Sequence, residues 1–370
     1  MRRSTGDVLA RTGLRGRGLC HCAQVIDLDL PVVQAPMAGG PSTPALAAAV
    51  SNAGGLGFLA AGYKTPEAVL ADITATRALT QRPFGVNVFA PPSGPADRGV
   101  VRRYAERLWI QAVALGVVLG DTRFDDDHYQ RKVELLAQER LPVVSFTFGC
   151  PAPSVVQELQ QVGTSVWVTV TDPQEALQAA AAGADALIVQ GVEAGGHRGS
   201  FVDSDSHEDY GILALLSLVS ARVDLPLIAA GGIATGPALA GVLAAGATAA
   251  VIGTAFLRCP EADTTVQHRD AVAQPRRTGL TRAFTGRLAR GLVNTFQAEH
   301  TAAAPIAYPE LHHLTAPLRA RARKDGDAEQ INLWAGQAHE LARVVPAGQL
   351  VAEFARDAAA ALDRAARRFT

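Results

Sequence analysis

DLPLIAAGGIATGPALAGVLAAGATAAVIGT, residues 224–254, is the stretch that decides the fold. Pro226 to Ala230 is a short apolar run without alternation, the pattern of a strand covered on both faces. Gly231-Gly232 follows at once, and Thr235-Gly236-Pro237 opens a helix with proline in its first turn. Ala249 to Ile252 is a second buried strand, and Gly253-Thr254 follows it. Two consecutive strand ends thus carry glycine, about one βα unit of ~20–30 residues apart. Glycine leaves backbone amides open to an anion, and a helix start adds partial positive charge. In a (β/α)8 barrel, the loops after strands seven and eight form a phosphate cup. The stretch therefore reads as the end of such a barrel, with its glycines placed to grip the phosphate of flavin mononucleotide (FMN). Either glycine pair alone would serve equally well as a tight structural turn.

Composition sets the outer bounds. The chain has 370 residues, 48% hydrophobic and 19% charged, enough for a large core. One α/β barrel takes roughly 250 residues. A formal net charge of −1, without long basic or acidic blocks, argues against nucleic acid as the main partner. No run of about 18 apolar residues is present, so no membrane span is expected. Cys20, Cys22, Cys150 and Cys259 form no framework typical of secreted domains, so a reducing, cytoplasmic setting is expected. Cys20-His21-Cys22 lacks a second ligand pair at zinc spacing, so no metal is expected. Residues 1–24 are arginine-rich without an apolar core and read as a loose leader or an over-long start, not a secretory signal.

Strand-like runs recur along residues 25–260. Pro31 to Pro36, Gly55 to Ala60, Pro83 to Val88, Leu141 to Phe146, Ser165 to Val170 and Ala184 to Gln190 alternate with helical segments. Gly55-Leu56-Gly57-Phe58-Leu59-Ala60 matches a G-x-G-x-x-A string, but it follows a helix and enters a strand, the reverse of a dinucleotide fingerprint. Residues 99–140 exceed one crossover and predict extra helices, with Asp125 to His128 exposed between them. The expected fold class is α/β, a (β/α)8 TIM barrel over 25–260. Residues 261–370, rich in alanine and arginine, are expected to form a helical segment packed on the barrel mouth.

The strand ends gather Gln34, Met37, Asn87, Thr147, Gln190, His197, Gly231, Gly232, Gly253 and Thr254. Asn87 and Gln190 offer amides that suit the uracil-like edge of an isoalloxazine ring, or that cap their own strands. Met37 offers a polarisable edge for a flat ring, or ordinary core. Gly191 to Gly199 holds four glycines with Glu193, His197 and Arg198, and reads as a flexible loop carrying donors over a ligand. His197 suits a general base or a hydrogen-bonding loop residue.

These residues resemble the nitronate monooxygenases, formerly called 2-nitropropane dioxygenases. The resemblance rests on QAPMAGGPSTPALAAAVSNAGGLGFLAAGY (34–63), FGVNVF (84–89), VVSFTFGCP (143–151), QGVEAGGHRG (190–199), AAGGI (229–233) and GTAFL (253–257). It continues through TGLTRAFTGRLARGLVN (278–294), YPELHHLTAPLR (308–319) and LWAGQ (333–337). The family implies an FMN-containing TIM barrel that oxidises alkyl nitronates with dioxygen, and the first block, EAGGHRG and LWAGQ resemble the branch that favours propionate 3-nitronate. By that resemblance Met37, Asn87, Gln190, Gly195, Gly231, Gly232, Gly253 and Thr254 contact FMN. Tyr308 and Gln337 fall near the substrate.

One position departs from the family pattern. The family's strand-four motif usually reads SFHFG, and its histidine is credited with catalysis; here the motif is Ser145 to Gly149 with Thr147 in that place. A threonine hydroxyl is no proton acceptor near neutral pH, yet it still donates a hydrogen bond. A neutral nitroalkane must lose its α-proton, whereas a nitronate needs only orientation and positive potential. The expectation is that nitronate oxidation is kept and neutral nitroalkanes are largely lost, with His197 as the alternative base. The rival readings are an NAD(P)H-dependent FMN-barrel reductase of quinones or enoyl thioesters, and a flavin-binding protein without nitronate activity.

Overall fold

The computed structural model describes residues 28–206 and 208–369. The arginine-rich leader and Cys20-His21-Cys22 lie outside these residues. Nine segments of the N-terminal two-thirds are strands: β1 (Val32–Gln34), β2 (Gly57–Ala60), β3 (Phe84–Phe89), β4 (Val143–Thr147), β5 (Ser165–Val170), β6 (Ala186–Gln190), β7 (Gly196–His197), β8 (Leu227–Ala230) and β9 (Ala249–Ile252). All but β7 form one parallel sheet in the order β1-β9-β8-β6-β5-β4-β3-β2. The ends of that order meet where Val33 bridges Leu56, with the Gln34 amide donating to Leu56 O at 2.9 Å and the Leu56 amide to Val32 O at 2.9 Å. The sheet is therefore a closed eight-stranded (β/α)8 barrel, which removes the edges that open sheets must protect.

Two buried layers explain the unbroken apolar strands. Val33, Phe58, Val143, Trp167, Ile188, Ile228 and Val251 pack together as one cluster. Their strand neighbours pack outward against helices, as Val168, Leu187 and Ala229 do. Trp167 is fully buried and its indole N–H donates to Ser165 Oγ at 2.9 Å, so the largest interior side chain also satisfies its polar atom. Helix starts are set by side-chain caps followed by proline: Thr43, Thr65, Asp172 and Thr235 each accept a first-turn amide. Each such cap is worth about 0.5–2 kcal/mol.

Beyond residue 260 the structure departs from an all-helical segment. β10 (Thr278–Thr281) and β11 (Ala289–Leu292) form an antiparallel hairpin, and β11 pairs with β7 through Ala289–His197 and Arg290–Gly196. Gly196 and His197, within the Gly191 to Gly199 stretch read as a flexible loop, are thus held in a small sheet; their strand partner lies about a hundred residues away, beyond the reach of local pattern. The helix Glu310–Asp325 carries residues that face the barrel mouth. The last helix, Ala347–Ala366, docks instead on the outer helix Gly236–Ala244, burying Leu350, Val351 and Phe354 in the outer core. The turn at Asp125 to His128 is engaged as well as polar. Asp127 accepts the Tyr63 amide at 3.0 Å and pairs with buried Lys132 at 2.7 Å, while Asp125 lies 2.7 Å from His313 Nε2. No described helix is long and apolar enough to cross a membrane.

Candidate active site

A cavity of ≈ 280 Å³ opens at the C-terminal ends of the barrel strands. Met37, Asn87, Thr147, Gln190, Gly195, His197, Gly231, Gly232, Gly253 and Thr254 all line it. Residues from the C-terminal sides of six barrel strands (β1, β3, β4, β6, β8 and β9) therefore converge as the sequence suggested, because parallel strands in a barrel end on one rim.

One wall is backbone. Gly231 and Gly232 have φ of 119° and 69°, conformations that side-chain-bearing residues rarely adopt. A Cβ on Gly195 would sit 2.4 Å from the Gly336 nitrogen, and Gly336 in turn donates its amide to Thr254 Oγ1 at 3.0 Å. Among the described residues no acceptor meets the amide N–H of Gly195, Gly232 or Gly253. Unpaired amides grouped where side chains cannot fit form a cradle for an anion, and a flavin phosphate fits it.

The floor is polar and interlocked. Asn87 Nδ2 donates to Ser145 O, Ser145 Oγ and Thr147 Oγ1 at 3.1, 2.9 and 2.9 Å, and Thr147 Oγ1 lies 3.3 Å from Thr169 Oγ1. Gln190 Nε2 donates to His197 O at 3.1 Å, and its Oε1 accepts from the Gly199 amide at 2.8 Å. Gln190 thus pins the chain that carries His197, and Arg198 adds a bond from Nη1 to Gly191 O at 2.8 Å. Immediately after Thr147, Phe148 adopts φ 78°, uncommon for a bulky residue, with the Arg287 guanidinium 4.1 Å above its ring.

The opposite wall is made of side chains from distant segments. His197 Nε2 lies 2.9 Å from Thr285 Oγ1, and that hydroxyl is 3.2 Å from Arg287 O, to which it donates. The imidazole then carries its proton on Nε2 and keeps the Nδ1 lone pair. Burial, with Arg287 and Arg319 nearby, pushes His197 down to about 3, so it is neutral at pH 7. His312 stacks on Tyr63 at 4.1 Å and 2°, and burial beside Arg319 pushes it down to about 2. His268 Nε2 lies 2.9 Å from Trp334 O, and burial pushes it down to about 4. Arg319 reaches His312 O at 2.7 Å, Thr315 Oγ1 at 3.1 Å and Asn332 Oδ1 at 3.4 Å.

Two residues expected on the substrate side do not line the main cavity. Tyr308 is outside the main lining; it borders an adjoining cavity, with its ring 6.2 Å from His197 and its hydroxyl 3.4 Å from that of Tyr63. Burial raises it well above the usual phenol range. Gln337 is exposed and off the lining, held through its amide to Glu193 O at 3.0 Å, while its neighbours Gly336 and Ala338 face the cavity. Tyr63, Thr285, His312, Arg319 and Trp334 line the site without having been singled out from sequence. A usable signal existed for two of them: positions 312, 315, 319 and 323 share one helix face.

Barrel, anion cradle and a cavity opening at the strand ends together define a (β/α)8-barrel enzyme with its site at the C-terminal rim. The nitronate monooxygenase family model matches residues 23–357. The chain is 42% identical to a nitronate monooxygenase of Paraburkholderia phytofirmans, covering 90% of this chain and 93% of the relative. It is 41% identical to that of Pseudomonas aeruginosa, covering 89% and 96%. Among solved structures, nitroalkane oxidase from Streptomyces ansochromogenes superposes with a TM-score of 0.89 at 51% identity, covering 91% of this chain and 98% of the other. FabK from Thermotoga maritima superposes at 0.73 and 28%, covering 93% and 96%. The chain belongs to the nitronate monooxygenase family, whose members are flavin-dependent oxidoreductases.

Proposed function

We propose that this enzyme binds FMN and oxidises alkyl nitronates of the propionate 3-nitronate type with dioxygen, yielding a carbonyl compound and nitrite. The observation that carries the reading is the pairing, in one cavity, of a backbone anion cradle with a base-poor, positively charged wall. Gly195, Gly231, Gly232, Gly253 and Thr254 would hold the phosphate, and Met37, Asn87 and Gln190 would border the ring. When bound, the flavin supplies the electron transfer between nitronate and dioxygen; the chain supplies position and field.

Thr147 accepts a hydrogen bond from Asn87, so its own proton is free for Thr169 or for a nitronate oxygen. His197, neutral and flanked by Arg287 and Arg319, is a weak base in this setting, because burial first, and then those charges, oppose a second proton. The same positive potential stabilises an anion that arrives already deprotonated. The site therefore favours nitronates over neutral nitroalkanes.

The test is to mix flavin-loaded enzyme with propionate 3-nitronate in air and follow nitrite and oxygen uptake. Nitrite release with oxygen consumption is expected, with much slower turnover of 3-nitropropionate, the nitro form that still carries its α-proton. Absence of nitrite, together with rapid anaerobic bleaching by NADH or NADPH, would overturn the reading in favour of a reductase. Absence of both would leave a flavin-binding protein without turnover.

A further inference from the structure

Arg319 is 5% exposed, yet every partner its guanidinium meets is neutral: Thr315 Oγ1, His312 O, His312 Nδ1 and Asn332 Oδ1. Among the described residues no carboxylate comes within ion-pair distance of it. Arg323, one turn further along the same helix and half-buried, donates from Nη2 to the same Asn332 Oδ1 at 3.0 Å and likewise meets no carboxylate. Two like charges four residues apart sharing one amide oxygen are mutually destabilising, and a guanidinium out of water costs free energy unless an anion joins it. Both arginines line the cavity that holds Thr147, His197 and the glycine cradle. The cavity therefore has two places for negative charge. One is backbone amide at the ends of β8 and β9; the other is a pair of arginines on the facing helix.

We propose, resting on the nitronate reading above, that Arg319, supported by Arg323, binds a carboxylate at the far end of the substrate and so selects nitronates that carry one. The planar guanidinium fork matches a carboxylate in a bidentate contact that no ammonium reproduces. With the first anion cradle taken by the cofactor phosphate, the arginine pair remains for the substrate's second charge. The nitronate end then lies toward Thr147 and His197, and the carboxylate end toward the helix Glu310–Asp325. Asn332 holds both guanidinium groups in place while the site is open.

The experiment compares propionate 3-nitronate with propyl-1-nitronate, which has a methyl group where the carboxylate stands, on wild type, Arg319→Gln, Arg319→Lys and Arg323→Gln. Arg319→Gln is expected to raise KM for the carboxylated substrate about 10- to 100-fold, the loss typical of a buried charge-assisted contact, and KM for propyl-1-nitronate by less than about threefold. Arg319→Lys should fall between, and Arg323→Gln should cost about two- to fivefold, since solvent screens its charge. Equal losses on both substrates, or none on either, would overturn the assignment. A binding readout separates this from the proposed function. Under argon, 3-nitropropionate and 1-nitropropane are titrated against the flavin absorbance. Wild type should prefer the carboxylate and Arg319→Gln should lose that preference, even if neither nitronate is turned over. Failure of turnover alone would count against the nitronate reading; an unchanged preference in Arg319→Gln would count against the arginine. Arg323→Gln, less buried, keeps the test open if Arg319→Gln does not fold.

Discussion

The wall built at the ends of β8 and β9 presents backbone amides, while the wall from residues 308–334 presents imidazole, guanidinium and aromatic side chains. The first carries no titratable group at Gly195, Gly231, Gly232 or Gly253, and what it demands of the sequence is the absence of a Cβ. The second holds His312, Arg319 and Trp334, and the Arg319 charge helps keep His197 unprotonated. A cofactor phosphate needs a fixed cradle that does not change with pH. A substrate needs a surface whose charge and shape select among similar small molecules. Under the proposed function, dividing the two tasks between backbone and side chain would let one wall stay constant while the other varies.

The sharpest way to break this division is at its boundary, Thr147. If the cavity lacks an effective base, Thr147→His should raise turnover of neutral nitroalkanes by ~10²–10⁴-fold, the usual contribution of a positioned general base, with little gain on nitronates. Steady-state assays on both forms check it. Equal wild-type rates on nitronate and nitroalkane would remove the premise. A smaller effect is expected on the backbone wall. Gly195→Ala places a Cβ against the Gly336 nitrogen and the Ala335 carbonyl carbon, an overpacking cost of about 1–3 kcal/mol. Flavin affinity should drop roughly 5- to 150-fold, read from the flavin-to-protein absorbance ratio after dialysis, and the loss should be the same at pH 6 and pH 8.

The side-chain wall should respond to pH in the opposite manner. His197, His268 and His312 all have folded-state values far below that of a free imidazole because burial disfavours their charged forms. The unfolded chain therefore binds more protons than the folded one below about pH 6.5, and stability is full above that value and falls as the pH drops. His312→Phe keeps a ring against Tyr63 and removes one of these groups. The slope of unfolding free energy between pH 6 and 5, from urea titrations, should fall by about 1.2 kcal/mol per pH unit relative to wild type. An unchanged slope would mean that His312 is protonated in the folded protein.

Much of the barrel could be read directly. Ser165 to Val170 matches β5 residue for residue, and Thr235-Gly236-Pro237 marked a helix start, because strands buried on both faces and capped helices leave local patterns. The hairpin of β10 and β11 left no such trace. TGLT and ARGL are short and lie in an alanine- and arginine-rich region, and their strand character comes from pairing with each other and with Gly196-His197. Gln337 was drawn toward the site by its motif, yet Gly336 and Ala338 are the residues that face the cavity.

The sequence by itself determined the eight-stranded barrel, the glycines at the ends of its last two strands and the family, since each depends on residues near one another along the chain. Tertiary structure alone decided the other half of the site. It tied the His197 loop to β11, set His197 against Thr285, and brought Arg319 into the cavity with no counter-ion among the described residues. Periodicity along one helix shows which residues share a face, but not which barrel mouth that face covers or which charges stand opposite. Burial and the protonation of His197 follow from that meeting, and no local pattern carries it.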